Sequence, residues 1–201
     1  MYILFFFSLL GFIATLPLYY LSLEHLKLEK KYGRKKGERI GDIYGIISGW
    51  GFFLFWFGIW FSPQTKFAIP LFQGLVIQLP FLGTTIPLVH AIVFVPFFAV
   101  GSWFGIRGVM ETTLKVAETH RPARVVTTGV YSIIRHPQYL GGLLAHLGFS
   151  FLLSGLYSLV LTPLTFALVY LISRKEEIEL SKEFGKEYAE YVKKTPMILP
   201  R

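Results

Sequence analysis

Two clusters of ionisable residues stand close enough to aromatic residues and glycines to do chemistry together. Arg135-His136 runs into Pro137, Gln138 and Tyr139, and Glu176-Glu177 follows two apolar runs later. An α-carboxylate is received by Arg, His or backbone N–H groups, whereas an α-ammonium or a sulfonium is received by carboxylates and aromatic faces. The two clusters facing one another therefore suit a zwitterionic, amino-acid-like ligand. Pro137 fixes its own φ and disfavours the α region at His136, so a bend there aims the imidazole away from the helix that follows. Gly141 and Gly142 leave room for a flat ligand or another helix. The chain has no Cys, which excludes disulfides, thiolate metal sites and a catalytic thiol. No metal is expected at the site.

Each piece has a plainer reading when taken alone. Arg135-His136 is the kind of pair that anchors a helix end at a membrane surface, and Glu176-Glu177 is a pair that a solvated helix face carries. Tyr131 and Tyr139 suit an interfacial aromatic belt, and the glycines suit helix packing. His120 and Arg121 read as a solvated loop, with capping of the site as the alternative. Glu111 and Glu118, a heptad apart, read as solvated. His90 and His146 lie inside apolar runs and must find hydrogen-bond partners across helices. His146 is also a candidate for lining the site.

The rest of the chain supplies the elements that would position these groups. Of 201 residues, 53% are hydrophobic, 17% aromatic and only 16% charged. Average soluble domains carry about 25% charged residues, so the apolar excess must face lipid, a partner or both. Met1–Leu23 is uncharged, lacks the basic start and cleavage site of a signal peptide, and reads as a retained first span. Ile43–Ser62 and Ile86–Ile106 read as the second and third spans. Tyr139–Leu153 and Leu159–Ser173 read as a hairpin of two shorter ones. Leu71–Leu82 is too short to span and reads as a re-entrant or interfacial segment, or as half of a broken span.

The charges support five spans. Every Lys and Arg except Lys66, and all 12 acidic residues, fall in Glu24–Asp42, Arg107–Gln138 and the tail from Arg174. With five spans these segments share one side, and Lys/Arg bias marks it as cytoplasmic. The expected fold is all-α integral membrane, with the N-terminus outside and a cytosolic C-terminal helix. The expected division is residues 1–110, membrane helices without a motif, and residues 111–201, the site-bearing core with the hairpin 139–173. The net charge of +8 points to the surface of membrane lipids as the anionic partner rather than to nucleic acid.

The order Gly-x-Tyr, Arg-His-Pro-x-Tyr-x-Gly, hairpin, Glu-Glu, Phe-Gly-x-x-Tyr is more specific than any of its parts. It runs from Thr127 through Gly141, resumes at Glu176-Glu177 and Phe184–Tyr191, and closes on Pro196 and Leu199-Pro200. In these residues the C-terminal part resembles the isoprenylcysteine carboxyl methyltransferase family and its phospholipid-methylating relatives. The resemblance implies S-adenosylmethionine bound at the cytosolic membrane face and a lipophilic methyl acceptor entering from the bilayer. It implies that His136 and Tyr139, with Pro137 and Gln138 between them, and Tyr131 contact the cofactor. It further implies that the backbone of Ala123, Arg124, Val125 and Val126 lines the adenosine, and that Glu176 receives the amino group beside its neighbour Glu177. Carboxyl-methylating members carry an Arg one turn before the Glu pair. Here that position is Ile172, which leaves Arg135 or Arg174 to orient an anionic acceptor. An amine or hydroxyl acceptor would need a base, for which Glu176, Glu177 and His136 are the candidates. The competing readings are an NADPH-dependent membrane reductase of the sterol or steroid type, which such a chain resembles across Arg-His-Pro-x-Tyr, and a non-catalytic membrane scaffold.

Overall fold

The computed structural model describes residues 2–71, 74–79 and 84–200. The first apolar run forms α1 (Ile3–Ala14) and α2 (Leu16–Leu23), joined at Thr15, whose hydroxyl donates to Phe12 O at 2.7 Å. The polar segment forms α3 (His25–Tyr32) and the start of α4 (Arg34–Phe61). The two meet at Gly33, whose φ of 80° suits glycine. α5 covers Leu88–Thr112 and α6 Leu114–Thr119. A turn of 3₁₀ helix at Gly129–Ser132 precedes α7 (Pro137–Leu152). The chain then enters α8 (Leu156–Val160), α9 (Thr162–Phe184) and α10 (Lys186–Lys194).

Ile3–Leu23, Arg34–Phe61 and Leu88–Thr112 are long and apolar enough to cross a membrane. α7, at 16 residues, is shorter than the roughly 20 residues that a span needs. α9 is longer than expected because it does not stop at Ser173. Leu171 through Phe184 continue as helix, so the expected start of the tail falls inside a helix and Gly185 ends it instead. The third apolar run becomes helical only at Leu88, and residue 110 lies within α5. Leu71–Leu82 shows no helix where it is described. Val76–Leu79 pairs antiparallel with Thr84–Pro87, and residues 72–73 and 80–82 lie outside the described residues.

α5 and α7 pack closest at facing glycines. A Cβ on Gly141 would stand 2.6 Å from Gly101 O, and one on Gly101 2.9 Å from Gly141 O. Such backbone approach is how membrane helices gain packing energy where no water drives them together. Behind this seam, Phe12, Phe52, Trp56, Ile59 and Ile172 form a buried apolar core. Two intramembrane histidines bond across the fold as expected, although His146 Nε2 is buried without a partner among the described residues. His146 Nδ1 accepts from both Trp56 and Trp60 at 2.9 and 2.8 Å, and His90 Nδ1 bonds Ser154 at 2.8 Å. At the far end from the ionic clusters, Lys66 donates to Leu153 O at 2.7 Å.

Candidate active site

α7 begins where the sequence places a bend. His136 is its N-cap at φ −123°, ψ 62°, and Pro137 opens the first turn. The imidazole is thereby turned off the helix axis and stacks on Tyr139 with ring centroids 5.4 Å apart. On α9 the two carboxylates point apart, since successive helical residues differ by about 100°. Glu177 turns inward: its Oε1 lies 2.7 Å from Arg135 Nε, 2.6 Å from Arg135 Nη2 and 3.3 Å from His136 Nε2. Glu176 accepts from Tyr139 at 2.8 Å and stands 3.7 Å from His136 Nδ1. His136 is thus held between both acids.

The carboxylate of Glu176 can only accept, so Tyr139 donates to it and its oxygen receives the hydroxyl of Tyr19, 2.8 Å away. Burial pushes the Glu177 carboxyl up, but the hydrogen bonds and charges of His136 and Arg135 outweigh it and hold it below its usual range. Arg135 has a second task. Its Nη1 donates to the carbonyls of Val192, at 3.2 Å, and Thr195, while the backbone N–H groups of Arg135 and His136 donate to Pro196 O and Met197 O at 2.9 and 3.0 Å. The ionic pair therefore clasps the C-terminal segment beneath the site.

These groups border a polar cavity of about 740 Å³. Of the expected cofactor contacts, Arg124, Val125 and Val126 line it from the loop. Tyr131, His136, Gln138, Tyr139 and Glu176 line it from the helices. Ala123 is exposed on the loop and Pro137 is buried under the first turn of α7, and neither reaches the cavity wall. Of the three residues expected to act on the acceptor, Arg135 borders the cavity with its guanidinium already committed. Glu177 is buried behind the wall in that same pair. Arg174 is exposed on the outer face of α9, away from both clusters. Gln138 Nε2 steadies Tyr131 at 3.1 Å, and Tyr191 donates to Tyr131 O at 2.6 Å.

A second cavity of about 1130 Å³ adjoins the first. Its walls are Trp50, Phe53, Trp56 and Phe57 of α4, with Val169 and Ile172 of α9 opposite. Tyr19, Ala117, His120, Gln138 and Tyr139 line both cavities and form the seam between them. One stripe of α9 serves the two: Val169 and Ile172 face the apolar space, and Glu176, one turn on, faces the polar one. Trp50, Phe53 and Phe57 are also exposed on the outer face of α4, so the apolar cavity opens sideways.

Several members of these walls carry little signal in the sequence. Tyr19 sits in an uncharged run that offers no reason to single it out. His120 reads as a loop residue but is 7% exposed and stacks on Tyr19 at 4.1 Å. Burial, and secondarily the charge of His25, push its pKa down to about 3. Arg121 pairs with Glu29 at 2.8 Å and pins the loop to α3. The solvated reading fails for Glu111, whose second carboxylate oxygen is buried, while Glu118 stays partly exposed. Glu111 Oε1 accepts from Val130 N at 3.0 Å, holding the turn that presents Tyr131. Glu118 borders the apolar cavity and accepts from Trp50 Nε1 at 3.2 Å. His146 lines neither cavity. Tyr188, visible only as the end of Phe-Gly-x-x-Tyr, reaches the polar cavity with a buried hydroxyl that has no partner among the described residues.

Membrane-length apolar helices thus carry a polar cavity at their charged end and an apolar cavity beside it. Residues 88–187 match the phospholipid methyltransferase family, so the chain belongs through these residues to the group of membrane methyltransferases that also holds the isoprenylcysteine carboxyl methyltransferases. The match reaches back from the motif to take in all of α5. The cobalt-zinc-cadmium resistance protein CzcN of Cupriavidus metallidurans is 40% identical over 78 residues, 38% of this chain and 36% of that protein. The nickel-cobalt-cadmium resistance protein NccN of Alcaligenes xylosoxydans xylosoxydans is 33% identical over 82 residues, 40% of this chain and 38% of that protein. The chain thus spans little more than a third of the length of either curated relative it matches. No solved structure matches.

Proposed function

We propose that this protein is an integral membrane methyltransferase that binds S-adenosylmethionine in the polar cavity and receives a lipophilic acceptor in the apolar one. The observation that carries the reading is the shared wall of Tyr19, Ala117, His120, Gln138 and Tyr139, which separates a space lined by charged groups from one lined by aromatic rings.

Its donor set fits the cofactor. Glu176 offers a carboxylate to an α-ammonium, Arg124 a cation to an α-carboxylate, and the Tyr188 hydroxyl an unused hydrogen bond. The faces of Tyr131, Tyr139 and Tyr19 suit a sulfonium. The cofactor supplies an electrophilic methyl group, and the protein's part is to position the reactants and keep water away. Arg135 and Glu177 serve that part from behind, by holding His136 and the C-terminal segment in place.

The acceptor is a molecule with an apolar body. Glu118 is the single charged side chain among the residues lining the apolar cavity, and Ile172 stands where carboxyl-methylating relatives carry an Arg. A neutral or cationic nucleophilic group therefore fits better than a carboxylate. In this reading α7 and the apolar half of α9 complete five spans, the cavities open at the cytoplasmic side and the N-terminus lies outside. The names of the two relatives speak of metal resistance, which the reading leaves to those proteins.

Calorimetric titration of the purified protein in detergent tests the reading. S-adenosylhomocysteine is expected to bind, with affinity lowered at least tenfold by Glu176→Gln, and NADPH is not. Binding of NADPH in its place would transfer the chain to the reductases.

A further inference from the structure

The seam between the cavities carries a base that the proposed function leaves unused. His120 ends α6 in the left-handed conformation, with φ 55°. Its ring is gripped on one edge and one face. Nδ1 lies 2.9 Å from Ser22 Oγ, and Tyr19 stacks on the ring at 4.1 Å. Its backbone is held as well, for His25 Nε2 donates to His120 O at 2.8 Å.

The hydrogen bonds decide where the imidazole proton sits. Ser22 is fully buried, and its one hydroxyl proton can go to Tyr19 O, 2.7 Å away, or to His120 Nδ1. In the first arrangement Ser22 donates to Tyr19 O and accepts from His120 Nδ1–H, which makes two hydrogen bonds. In the second it makes one, and the proton on Nε2 meets no acceptor among the described residues. The buried Ser22 hydroxyl thus makes both of its hydrogen bonds only in the first arrangement. The first arrangement wins, and Nε2 keeps its lone pair.

That lone pair looks toward Gly49 on α4. A Cβ there would stand 3.9 Å from Nε2, and Gly49 lines the apolar cavity. His120 also borders the polar cavity. The other titratable groups on the apolar wall are spoken for. Tyr19 and Tyr139 pass their protons along the chain to Glu176, and Glu118 holds Trp50 at the mouth. Glu177 and His136, the other acid–base groups of the site, lie outside the apolar wall.

We propose that His120 is the general base of the methyl transfer, with Nε2 taking the proton from an N–H, O–H or S–H group of the apolar acceptor. This rests on the methyltransferase reading above. As the acceptor's heteroatom forms its bond to the methyl carbon, the electron pair of the broken carbon–sulfur bond leaves with the sulfur. The heteroatom's proton passes to Nε2 as the methyl transfers, and because burial gives this ring a low proton affinity the imidazolium is short-lived, held meanwhile by its Nδ1–H bond to Ser22. It returns the proton to water when the product leaves.

His120→Asn is the informative variant. Asn tolerates the left-handed backbone, and its amide N–H can replace Nδ1–H toward Ser22, but nothing replaces Nε2. S-adenosylhomocysteine affinity by calorimetry should stay within about threefold of the parent. Methyl transfer from labelled S-adenosylmethionine to phosphatidylethanolamine vesicles should fall about a hundredfold or more, the size of a lost general base, and added imidazole should restore part of it. Nitrogen-15 NMR of histidine-labelled protein, assigned against His120→Asn, should show His120 protonated at Nδ1. An Nε2-protonated ring, or full turnover by the variant, overturns the proposal. A parent that fails to bind S-adenosylhomocysteine overturns the methyltransferase reading instead. Where the parent binds it but labels no vesicle lipid, the tautomer decides alone.

Discussion

At the scale of single residues, two buried polar groups set measurable expectations. The Tyr188 hydroxyl reaches the polar cavity without a partner among the described residues, and a hydrogen bond to a charged group contributes about 1.5–3 kcal/mol. Tyr188→Phe should leave the melting temperature unchanged and weaken S-adenosylhomocysteine binding by roughly tenfold or more. Equal affinities would show that the hydroxyl plays no part in binding. His120 bears on pH. Unfolded imidazole takes up a proton near pH 6.5, whereas burial keeps the folded ring neutral down to about 3. The unfolded state therefore binds more protons as the pH falls below 6.5, and stability drops by up to about 1.4 kcal/mol per pH unit from this residue. His25, whose pKa burial also lowers, acts in the same direction. Melting temperatures between pH 6.5 and 5 should fall with a clearly shallower slope in His120→Asn than in the parent. His120 was hard to read in the sequence because a histidine in a polar loop is usually wet. What buries it is the stacked ring of Tyr19, some hundred residues away, and no local pattern encodes that contact.

At the scale of elements, the turn at His136-Pro137 was legible, and Gly141 showed where a ligand or another helix could approach but not that the helix is α5. Proline chemistry sets the first, while the partner glycine, Gly101, carries no mark in the sequence. The clasp was not legible. Arg135 and Glu177 look in the sequence like groups poised to act, yet in the fold they neutralise one another, with side chains 8% and 9% exposed, and hold the C-terminal segment. Removing one partner of a buried pair strands the other charge, at about 3–5 kcal/mol. Glu177→Ala should accordingly lower thermal stability strongly and make the segment after Lys194 sensitive to protease. Arg174→Ala, on the exposed face of α9, should change neither stability nor turnover. The glycine seam gives a separate expectation. Gly141→Val forces a side chain against Gly101 O and Gly105 N and should cost about 1–3 kcal/mol. An unchanged melting temperature would mean that α5 and α7 separate freely.

At the scale of the whole molecule, the charges carry the argument. The ends of α2, α5 and α9 and the starts of α4 and α7 meet in one ionic layer, where Lys175 bonds Glu24 at 2.9 Å and Arg121 bonds Glu29. Lys66 lies at the opposite end beside α8. The same layer is where the N-terminal helices, which fall outside the matched residues 88–187, supply Tyr19 and the Ser22–His120 contact. One of the five seam residues, and the buried partner of another, therefore come from a region with no motif, because a helix bundle builds its cavities between elements far apart in sequence. The proposed orientation follows from the same asymmetry, since moving so many Lys and Arg across the bilayer is far costlier than moving one. The cysteine-free chain allows a direct measurement. A cysteine placed at Lys66 should react with a membrane-impermeant maleimide added outside intact cells, and one placed at Lys182 should react only after lysis. The reverse pattern would turn both cavities toward the outside, away from the cell's S-adenosylmethionine, and the proposed chemistry would lose its methyl donor.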